Sequence, residues 1–242
     1  MTSDFLVIGS GVAGLSFAIK AAAHGSVTVI TKNTALDSNT NWAQGGIASV
    51  LPAGLRDPGD DCDQHVADTL DAGAGLCHED AVRTIIGEGA ATIDELVSWG
   101  VDFDRHDGKF ALGKEGGHSS RRILHAKDTT GREIAESLLE TARQTPNITV
   151  LEEHFAIDLL TTARLGYVTE DRVLGAYVLK EDTGEVEVFR SDRVILATGG
   201  CGKVYLYTTN PDSATGDGVA MAWRAGAQIA NMAVSYTHLT LP

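Results

Sequence analysis

The first 32 residues carry a glycine motif between a short apolar run and a helical stretch. Phe5 to Ile8 are all apolar, as in a parallel strand that is covered on both faces, and the sequence GSGVAG follows at residues 9–14. Glycines at these spacings permit a tight turn, close approach of backbone to a pyrophosphate, and close packing of helix on strand. The N-terminus of the helix then offers amide donors to phosphates. The motif predicts dinucleotide binding; the alternative is a tight turn in an unrelated α/β fold.

Apolar periodicity and turn residues predict the remaining elements of an α/β chain. Strands are predicted at Val27–Ile30, Ile148–Leu151, Arg172–Lys180, Glu185–Phe189 and Asp192–Gly200, with a turn at Asp182–Gly184. Helices are predicted over Leu15–Ala23, near Gln64–Leu70, over residues 79–98, from about Arg132 to Arg143 with Thr130 as N-cap, and over Gly216–Ala227.

Composition limits the classes of partner. The net charge of −14 argues against nucleic acid and against an anionic membrane, because both would repel the chain. The three cysteines form no CxxC pair and predict neither a disulfide framework nor a metal site. No stretch of about 18 apolar residues occurs, and a strand predicted to begin by Asp4 leaves no room for a signal peptide. A soluble, cytoplasmic protein is expected.

The identity of the dinucleotide depends on the residues at the end of the second strand. An NAD site places an acid about 20 residues after the glycine motif, whereas this strand ends at Thr31 and Lys32. A lysine there could instead mark the 2′-phosphate of NADP. Two further glycine-rich segments, VILATGG and GDG, favour a flavin laid across the sheet edge. Asp217 would then accept hydrogen bonds from ribose or ribityl hydroxyls; alternatively, it satisfies backbone amides at a helix start.

Several blocks, in order and at compatible spacings, carry a family resemblance. They are GSGVAGL, ITK, NTNWAQGGIASV, HVADTLDAGAGLC, KEGGHSSRRILHAKDTTGREI and ATGGCGKVYLYTTNPDSATGDGVAMAWRAGA. Over about residues 4–232 the chain resembles the succinate dehydrogenase/fumarate reductase flavoproteins, in their L-aspartate oxidase branch. The resemblance implies a Rossmann-like FAD-binding domain over residues 1–232, with a parallel sheet plus a small β-meander.

The resemblance also implies that FAD is the cofactor and that the loop after the second strand wraps it. It assigns FAD contacts to Gly9, Ser10, Gly11, Val12, Ala13, Gly14, Lys32, Asn39, Thr40, Asn41, Trp42, Ala43, Gln44, Gly45, Gly46, Thr198, Gly199, Gly200 and Asp217. Trp42 would cover an apolar ring face or simply pack in the core. The succinate dehydrogenase branch has a flavin-linked histidine where this chain has Asn39, so the FAD is expected to be bound non-covalently.

Glu115 is the candidate for substrate recognition. Members of the family that handle succinate or fumarate have an apolar residue near this position, whereas the α-ammonium of L-aspartate calls for a carboxylate partner. Without the resemblance, Glu115 would pass as an ordinary loop charge. His118 and Ser119 are candidate substrate contacts, while Arg121 and Arg122 are expected to pair with local acids.

The match ends near Met232. Residues 233–242 are expected to be an aberrant tail that replaces the start of the capping domain, so a role for His238 is not carried over. The capping domain, the C-terminal helical domain and the catalytic arginine of the family would then be missing. We expect the 242-residue chain to be poorly soluble and without turnover.

The resemblance implies FAD-dependent oxidation of L-aspartate to iminoaspartate, with O2 (giving H2O2) or fumarate as acceptor. This reaction is the first step of de novo NAD biosynthesis, and quinolinate synthase would take the product. One alternative is a fumarate reductase or succinate dehydrogenase-type flavoprotein, which Asn39 and Glu115 disfavour. The other is a non-catalytic dinucleotide-binding fragment.

Overall fold

The computed structural model describes residues 1–127, 129–168 and 170–230. The strands are β1 Phe5–Ile8, β2 Val27–Ile30, β3 Ile47–Ala48, β4 Arg105–His106, β5 Lys109–Phe110, β6 Leu112–Gly113, β7 Ile123–Leu124, β8 Ile148–Leu151, β9 His154–Thr161, β10 Val173–Lys180, β11 Val186–Arg190 and β12 Val194–Leu196. The helices are α1 Val12–Ala21, α2 Asn39–Trp42, α3 Cys62–Ala72, α4 Glu79–Gly87, α5 Gly89–Ser98, α6 Thr130–Gln144 and α7 Asp217–Arg224. The chain divides into two compact units: Met1–Trp42 with the described residues from Leu139 onward, and Ala43–Leu138. The predicted tail at 233–242, with His238, lies outside the described residues.

The first unit is organised by a four-stranded parallel sheet in the order β12-β1-β2-β8. Leu6 is paired with Val194 on one side and with Thr28 on the other. The chain therefore leaves β1 towards β2 but returns to the opposite side of β1 as β12. Both β1 and β12 end at the same sheet edge, which is where an open parallel sheet offers a crevice to ligands. The predicted βαβ unit and parallel sheet are confirmed.

A three-stranded antiparallel meander, β11-β10-β9, is the second sheet of this unit. The small meander was predicted, but β9 was not. The core joins apolar side chains of the parallel sheet, the meander and α7, namely Leu6, Ile8, Ile30, Ala156, Leu159, Ala176, Val178, Phe189 and Met221. Burial of these apolar surfaces is the main contribution that holds the meander and α7 to the parallel sheet.

The second unit contains α3, α4, α5, the first residues of α6 and the short strands β3 to β7. The single helix predicted over residues 79–98 is wrong, because α4 ends at Gly87 and α5 begins at Gly89. Glu88, between them, caps both helices. Two glycines within three residues weaken a helix by about 1 kcal/mol each relative to alanine, which favours a break here.

The N-terminus of α6 also differs from the sequence prediction. Thr130 is the first residue of the helix rather than its N-cap, and it is fully buried. Its hydroxyl accepts a hydrogen bond from the Ala126 amide at 3.1 Å, so it fixes the preceding turn. The Glu133 amide donates to the carbonyl of Thr129, where the helical hydrogen bonds begin.

The helices of the described part are short. The longest described, α6, has 15 residues, whereas a membrane-spanning helix needs about 20 apolar residues. Over residues 1–127, 129–168 and 170–230, no helix is long and apolar enough to cross a membrane.

Gly175 in β10 tests how tightly the meander is packed. A Cβ there would lie 2.0 Å from the Phe189 carbonyl oxygen, and its φ is +144°. We predict that Gly175→Ala lowers the free energy of unfolding by about 2–5 kcal/mol, the sum of overpacking and backbone strain. Gly184→Ala is the matched control: its φ is +72°, but a Cβ would meet nothing within 4 Å. The control should lose about 1–2 kcal/mol. Equal losses in urea unfolding would contradict the prediction.

Candidate functional site

A cavity of about 510 Å³ opens at the carboxyl edge of the parallel sheet in the first unit. Of the residues predicted to contact FAD, those lining it are Gly9, Ser10, Gly11, Val12, Ala13, Lys32, Asn39, Thr40, Thr198, Gly199, Gly200 and Asp217. The cavity therefore brings together residues that lie far apart in the sequence, from the glycine motif, the loop after β2, the end of β12 and the start of α7.

Some lining residues were not predicted. They include Thr31, Asp37, Ser38, His154, Phe155, Ser213, Ala214 and Met221. His154 and Phe155 open β9, the strand that sequence analysis missed, so their place could not be foreseen. Ser213 and Ala214 belong to the sequence block that contains GDG. Their position in this block could have predicted that they line the cavity.

Three predicted cofactor residues of the first unit do not line the cavity. Gly14 is buried under the glycine turn, while Asn41 and Trp42 lie in α2. Trp42 is 65% exposed, so the alternative that it packs in the core is wrong. The side-chain oxygen of Asn41 is buried and has no hydrogen-bond partner among the described residues. Ala43, Gln44, Gly45 and Gly46 belong to the second unit.

The glycines of the turn have two different roles, because some leave space for neighbouring backbone and one leaves space for a ligand. A Cβ at Gly9 would lie 2.2 Å from the Ala197 oxygen, and one at Gly14 would lie 2.0 Å from the Gly9 oxygen. The fold itself therefore excludes side chains at both positions. Gly11 is different, because a Cβ there would meet only Thr40 Oγ1, at 3.4 Å. Since Gly11 lines the cavity, its lack of a side chain leaves space for a ligand rather than for the protein.

The start of α1 fits an anionic group. Its N-cap is Gly11, which makes no side-chain capping hydrogen bond, and the first turn contains no acidic residue. The Val12 amide donates to Thr40 Oγ1 at 3.0 Å, which ties the loop after β2 to the helix start. The positive end of the helix dipole thus faces the cavity without a carboxylate to neutralise it, as a pyrophosphate site requires.

Ser10 lines the cavity, but its hydroxyl bonds to the protein. Its hydroxyl is buried and donates to the Ala35 carbonyl at 2.8 Å. The side chain therefore fixes the turn after β2, which the glycine-motif prediction did not anticipate.

An ion pair lies at another wall of the cavity. Lys32 Nζ is 2.5 Å from Asp217 Oδ2 and donates to Thr215 Oγ1 at 2.6 Å. The Thr215 hydroxyl in turn lies 2.8 Å from Asp217 Oδ1. Because Asp217 balances the charge of Lys32, this lysine offers no free cation for a 2′-phosphate, which weighs against NADP. The Asp217 carboxylate faces the cavity and bonds to the side chains of Lys32 and Thr215. It is therefore more than an acid at the start of a helix.

Glu115 lies in the second unit, two residues after β6. Its carboxylate is about half exposed, and the Gly46 amide donates to its Oε1 at 3.5 Å. His125 Nε2 lies 3.7 Å from the same oxygen. The predicted loop glycines Gly45 and Gly46 thus lie beside the predicted substrate residue.

A buried ionic anchor holds the loop that carries Glu115. Arg122 is fully buried and pairs with Asp60 and with Asp68, each at 2.7 Å. The amide and hydroxyl of Ser119 donate to Asp68 Oδ2 at 2.9 and 2.8 Å. Burial would raise the pKa of Asp68, but the hydrogen bonds from Ser119 and Arg122 outweigh burial and hold it well below its usual range.

The structural role expected for the arginines is confirmed for Arg122. The structure gives Ser119 the same anchoring role, and its predicted substrate contact stays a prediction. The amide of Arg121, an exposed residue, donates to a local acid, Asp57, at 3.0 Å, and the pairing expected of its guanidinium stays a prediction.

His118 faces a second imidazole. Its ring centroid is 5.6 Å from that of His65, and the Nδ1 atoms of both rings are buried without a hydrogen-bond partner in the described part of the chain. Burial, followed by the nearby Arg122 charge, lowers the pKa of His65. The neutral form of His65 is therefore favoured. The role of His118 as a substrate contact stays a prediction.

The fold and the cavity define a dinucleotide-binding α/β protein with its site at the carboxyl edge of a parallel sheet. The comparison with known families agrees: the profile of the FAD binding domain family (FAD_binding_2) matches residues 4–241, so the chain belongs to that family. FAD is accordingly the cofactor. Gly11 and the uncapped start of α1 fit its pyrophosphate.

The curated relatives include several L-aspartate oxidases. The chain is 51% identical to L-aspartate oxidase 1 of Ralstonia nicotianae, over 99% of this chain and 44% of the relative. It is 47% identical to L-aspartate oxidase of Pseudomonas aeruginosa, over 98% and 44%. The chloroplastic L-aspartate oxidase of Arabidopsis thaliana is 49% identical, over 98% and 35%. The chain thus spans less than half the length of the curated relatives it matches.

Solved structures of related flavoproteins share the fold. A variant of FrdA from E. coli quinol fumarate reductase superposes with a TM-score of 0.83 and 32% identity, covering 93% of this chain and 37% of that one. Sdh1 of Mycobacterium smegmatis superposes with a TM-score of 0.81 and 31% identity, covering 93% and 38%.

Substitutions at Gly11 and at Gly14 can separate an effect on FAD binding from an effect on folding. We predict that Gly11→Ala weakens FAD binding at least ten-fold but leaves the melting temperature of the apoprotein nearly unchanged, because the new methyl group would lie in the cavity and meet the protein only at Thr40 Oγ1, at 3.4 Å. Gly14→Ala should lower the melting temperature, since its methyl would collide with the Gly9 carbonyl. Flavin fluorescence titration and thermal unfolding measure the two effects. Unaltered FAD affinity in Gly11→Ala would refute the ligand-related role.

Proposed function

We propose that this chain is the FAD-binding part of an L-aspartate oxidase. The proposed reaction converts L-aspartate to iminoaspartate with O2, giving H2O2, or with fumarate as acceptor, and its product would pass to quinolinate synthase in NAD biosynthesis. The observation that carries the proposal is the identity of 47–51% to L-aspartate oxidases over nearly the whole chain, against 31–32% to the fumarate reductase and Sdh1 structures.

The residues of the first unit would hold FAD. Gly11 leaves room for the pyrophosphate, and the start of α1 contributes its positive dipole end. Asp217, which pairs with Lys32, would accept hydrogen bonds from ribose or ribityl hydroxyls. When bound, FAD supplies the acceptor for the hydride that leaves Cα of the substrate.

Glu115 would bind the α-ammonium of L-aspartate. Its carboxylate is exposed enough to meet a ligand, and the Ser119–Asp68–Arg122 anchor fixes the loop behind it. A carboxylate held in place donates no proton but accepts charge-assisted hydrogen bonds, which are stronger than neutral ones. Such a contact would orient Cα by holding the nitrogen attached to it.

Two alternatives predict different substrate behaviour. A fumarate reductase or succinate dehydrogenase-type flavoprotein, which the shared fold also fits, would turn over dicarboxylates without an ammonium group. A non-catalytic binding fragment would bind FAD without turnover. Aspartate-dependent release of H2O2 from the full-length protein, with no succinate oxidation, supports the proposed function over the first alternative. FAD binding without any turnover in the full-length protein would favour the second.

Replacement of Glu115 tests the proposed ammonium contact. Glu115→Gln keeps the shape of the side chain but removes its charge. A charge-assisted hydrogen bond contributes about 1.5–3 kcal/mol, so kcat/KM for L-aspartate should fall by about ten- to a hundred-fold or more in the full-length protein. Inhibition by succinate should change only a few-fold, because succinate has no ammonium. Equal losses for both ligands would mean that Glu115 only supports its loop.

The mode of flavin attachment is a separate prediction. Asn39 lines the cavity where the related dehydrogenases have their linking histidine, and an amide cannot form that bond. We predict that acid precipitation of the holoprotein leaves FAD in the supernatant. Flavin fluorescence that migrates with the denatured polypeptide on a gel would contradict non-covalent binding.

A further inference from the structure

We infer that His125 is a positioning residue that fixes the carboxylate of Glu115 for the ammonium group of the substrate. The inference rests on the proposed function and deepens it. Its first observation is the 3.7 Å separation between His125 Nε2 and Glu115 Oε1. This separation is longer than a hydrogen bond, and a closure of about half an ångström would make it one.

The second observation is the space made for the imidazole. A Cβ at Gly113 would lie 2.7 Å from His125 Nε2 and 3.0 Å from its Cδ2. The next nearest atom, the Ile123 oxygen, would be 3.6 Å away, an ordinary contact. The φ of Gly113 is outside the left-handed region, so its backbone does not demand glycine. A side chain at position 113 would therefore have to displace the ring of His125.

The third observation is that strand pairing sets the distance between the two residues. His125 follows β7 directly, and Glu115 follows β6 by two residues. β6 and β7 are paired in register, with Gly113 opposite Ile123, and the Arg122 amide donates to the Gly113 carbonyl at 3.1 Å. The Asp104 amide donates to the His125 carbonyl at 2.8 Å, which holds the backbone from the other side.

These contacts act on one oxygen of the carboxylate. The Gly46 amide, at 3.5 Å, and His125 Nε2 both approach Oε1 of Glu115. When the Gly46 amide and His125 Nε2 both engage Oε1, the Glu115 side chain has fewer rotamers and Oε2 is left to receive an ammonium. A glutamate side chain without such contacts would lose conformational entropy when it binds the ammonium. Contact with His125 restricts the side chain before the substrate binds, so less entropy is lost on binding.

A double-mutant cycle in the full-length protein tests the inference. His125→Phe keeps a ring in the space beside Gly113 but removes the nitrogen. We expect kcat/KM for L-aspartate to fall about five- to twenty-fold, with the inhibition constant of succinate within about two-fold. His125→Gln, which keeps a donor of similar reach, should recover part of the loss. In a Glu115→Gln background, His125→Phe should have no further effect, because His125 acts only through Glu115.

The matched control is His106→Phe, since His106 is an exposed histidine of the same unit. It should change neither constant. If His125→Phe does not fold, His125→Asn takes its place, because its shorter side chain cannot reach Glu115, and it carries the same expectation.

Three results overturn the inference. A loss that persists in the Glu115→Gln background, or that is equal for aspartate and succinate, removes the role of His125 and leaves the proposed function standing. If Glu115→Gln itself fails to discriminate aspartate from succinate, the ammonium contact is wrong and the role of His125 falls with it.

Discussion

The cavity depends on backbone approaching backbone at the carboxyl ends of β1 and β12. A Cβ at Gly9 would lie 2.2 Å from the carbonyl of Ala197, and one at Gly218 would lie 1.8 Å from Thr198 Oγ1. The end of β1 therefore lies against the backbone at the end of β12, and the start of α7 lies against the Thr198 side chain that follows β12. A side chain at either glycine would push two elements apart and widen the cavity at the place where a phosphate needs close amide donors.

In the second unit, buried ion pairs fix the position of a loop. In the first unit, close contact between backbone segments positions the strand ends. Burial of Arg122 has a large desolvation cost, which two carboxylates and the Ser119 hydroxyl offset. Loss of one partner from such a group costs about 3–5 kcal/mol, although an apolar replacement of the whole group is often neutral. The anchor therefore does more for the placement of the 113–122 loop than for net stability. A loop fixed in this way can present a side chain at a set position.

The sequence pattern alone predicted the elements whose residues lie close together in the chain. The apolar run Phe5–Ile8, the glycine motif and β2 were predicted with correct order and sheet type, because their signals lie within a few residues. β9 was missed because its buried and exposed positions follow no clean alternation. The ion pairs of Lys32 with Asp217 and of Arg122 with Asp60 and Asp68 join residues far apart in sequence. A single sequence contains no signal for such pairs, so the family resemblance, not periodicity, located the site.

The strand order has a consequence for synthesis of the chain. β1 is made first, but one of its two neighbours is β12, which ends at residue 196, and the wall at Asp217 comes later still. Nearly all of the first 196 residues must be added before the sheet closes on its first strand. At about 5–20 residues per second, this takes roughly 10–40 s. During that time β1 lacks one of its two strand partners and the cavity lacks the walls formed by the end of β12 and the start of α7, so FAD can enter its site only near the end of translation of this segment.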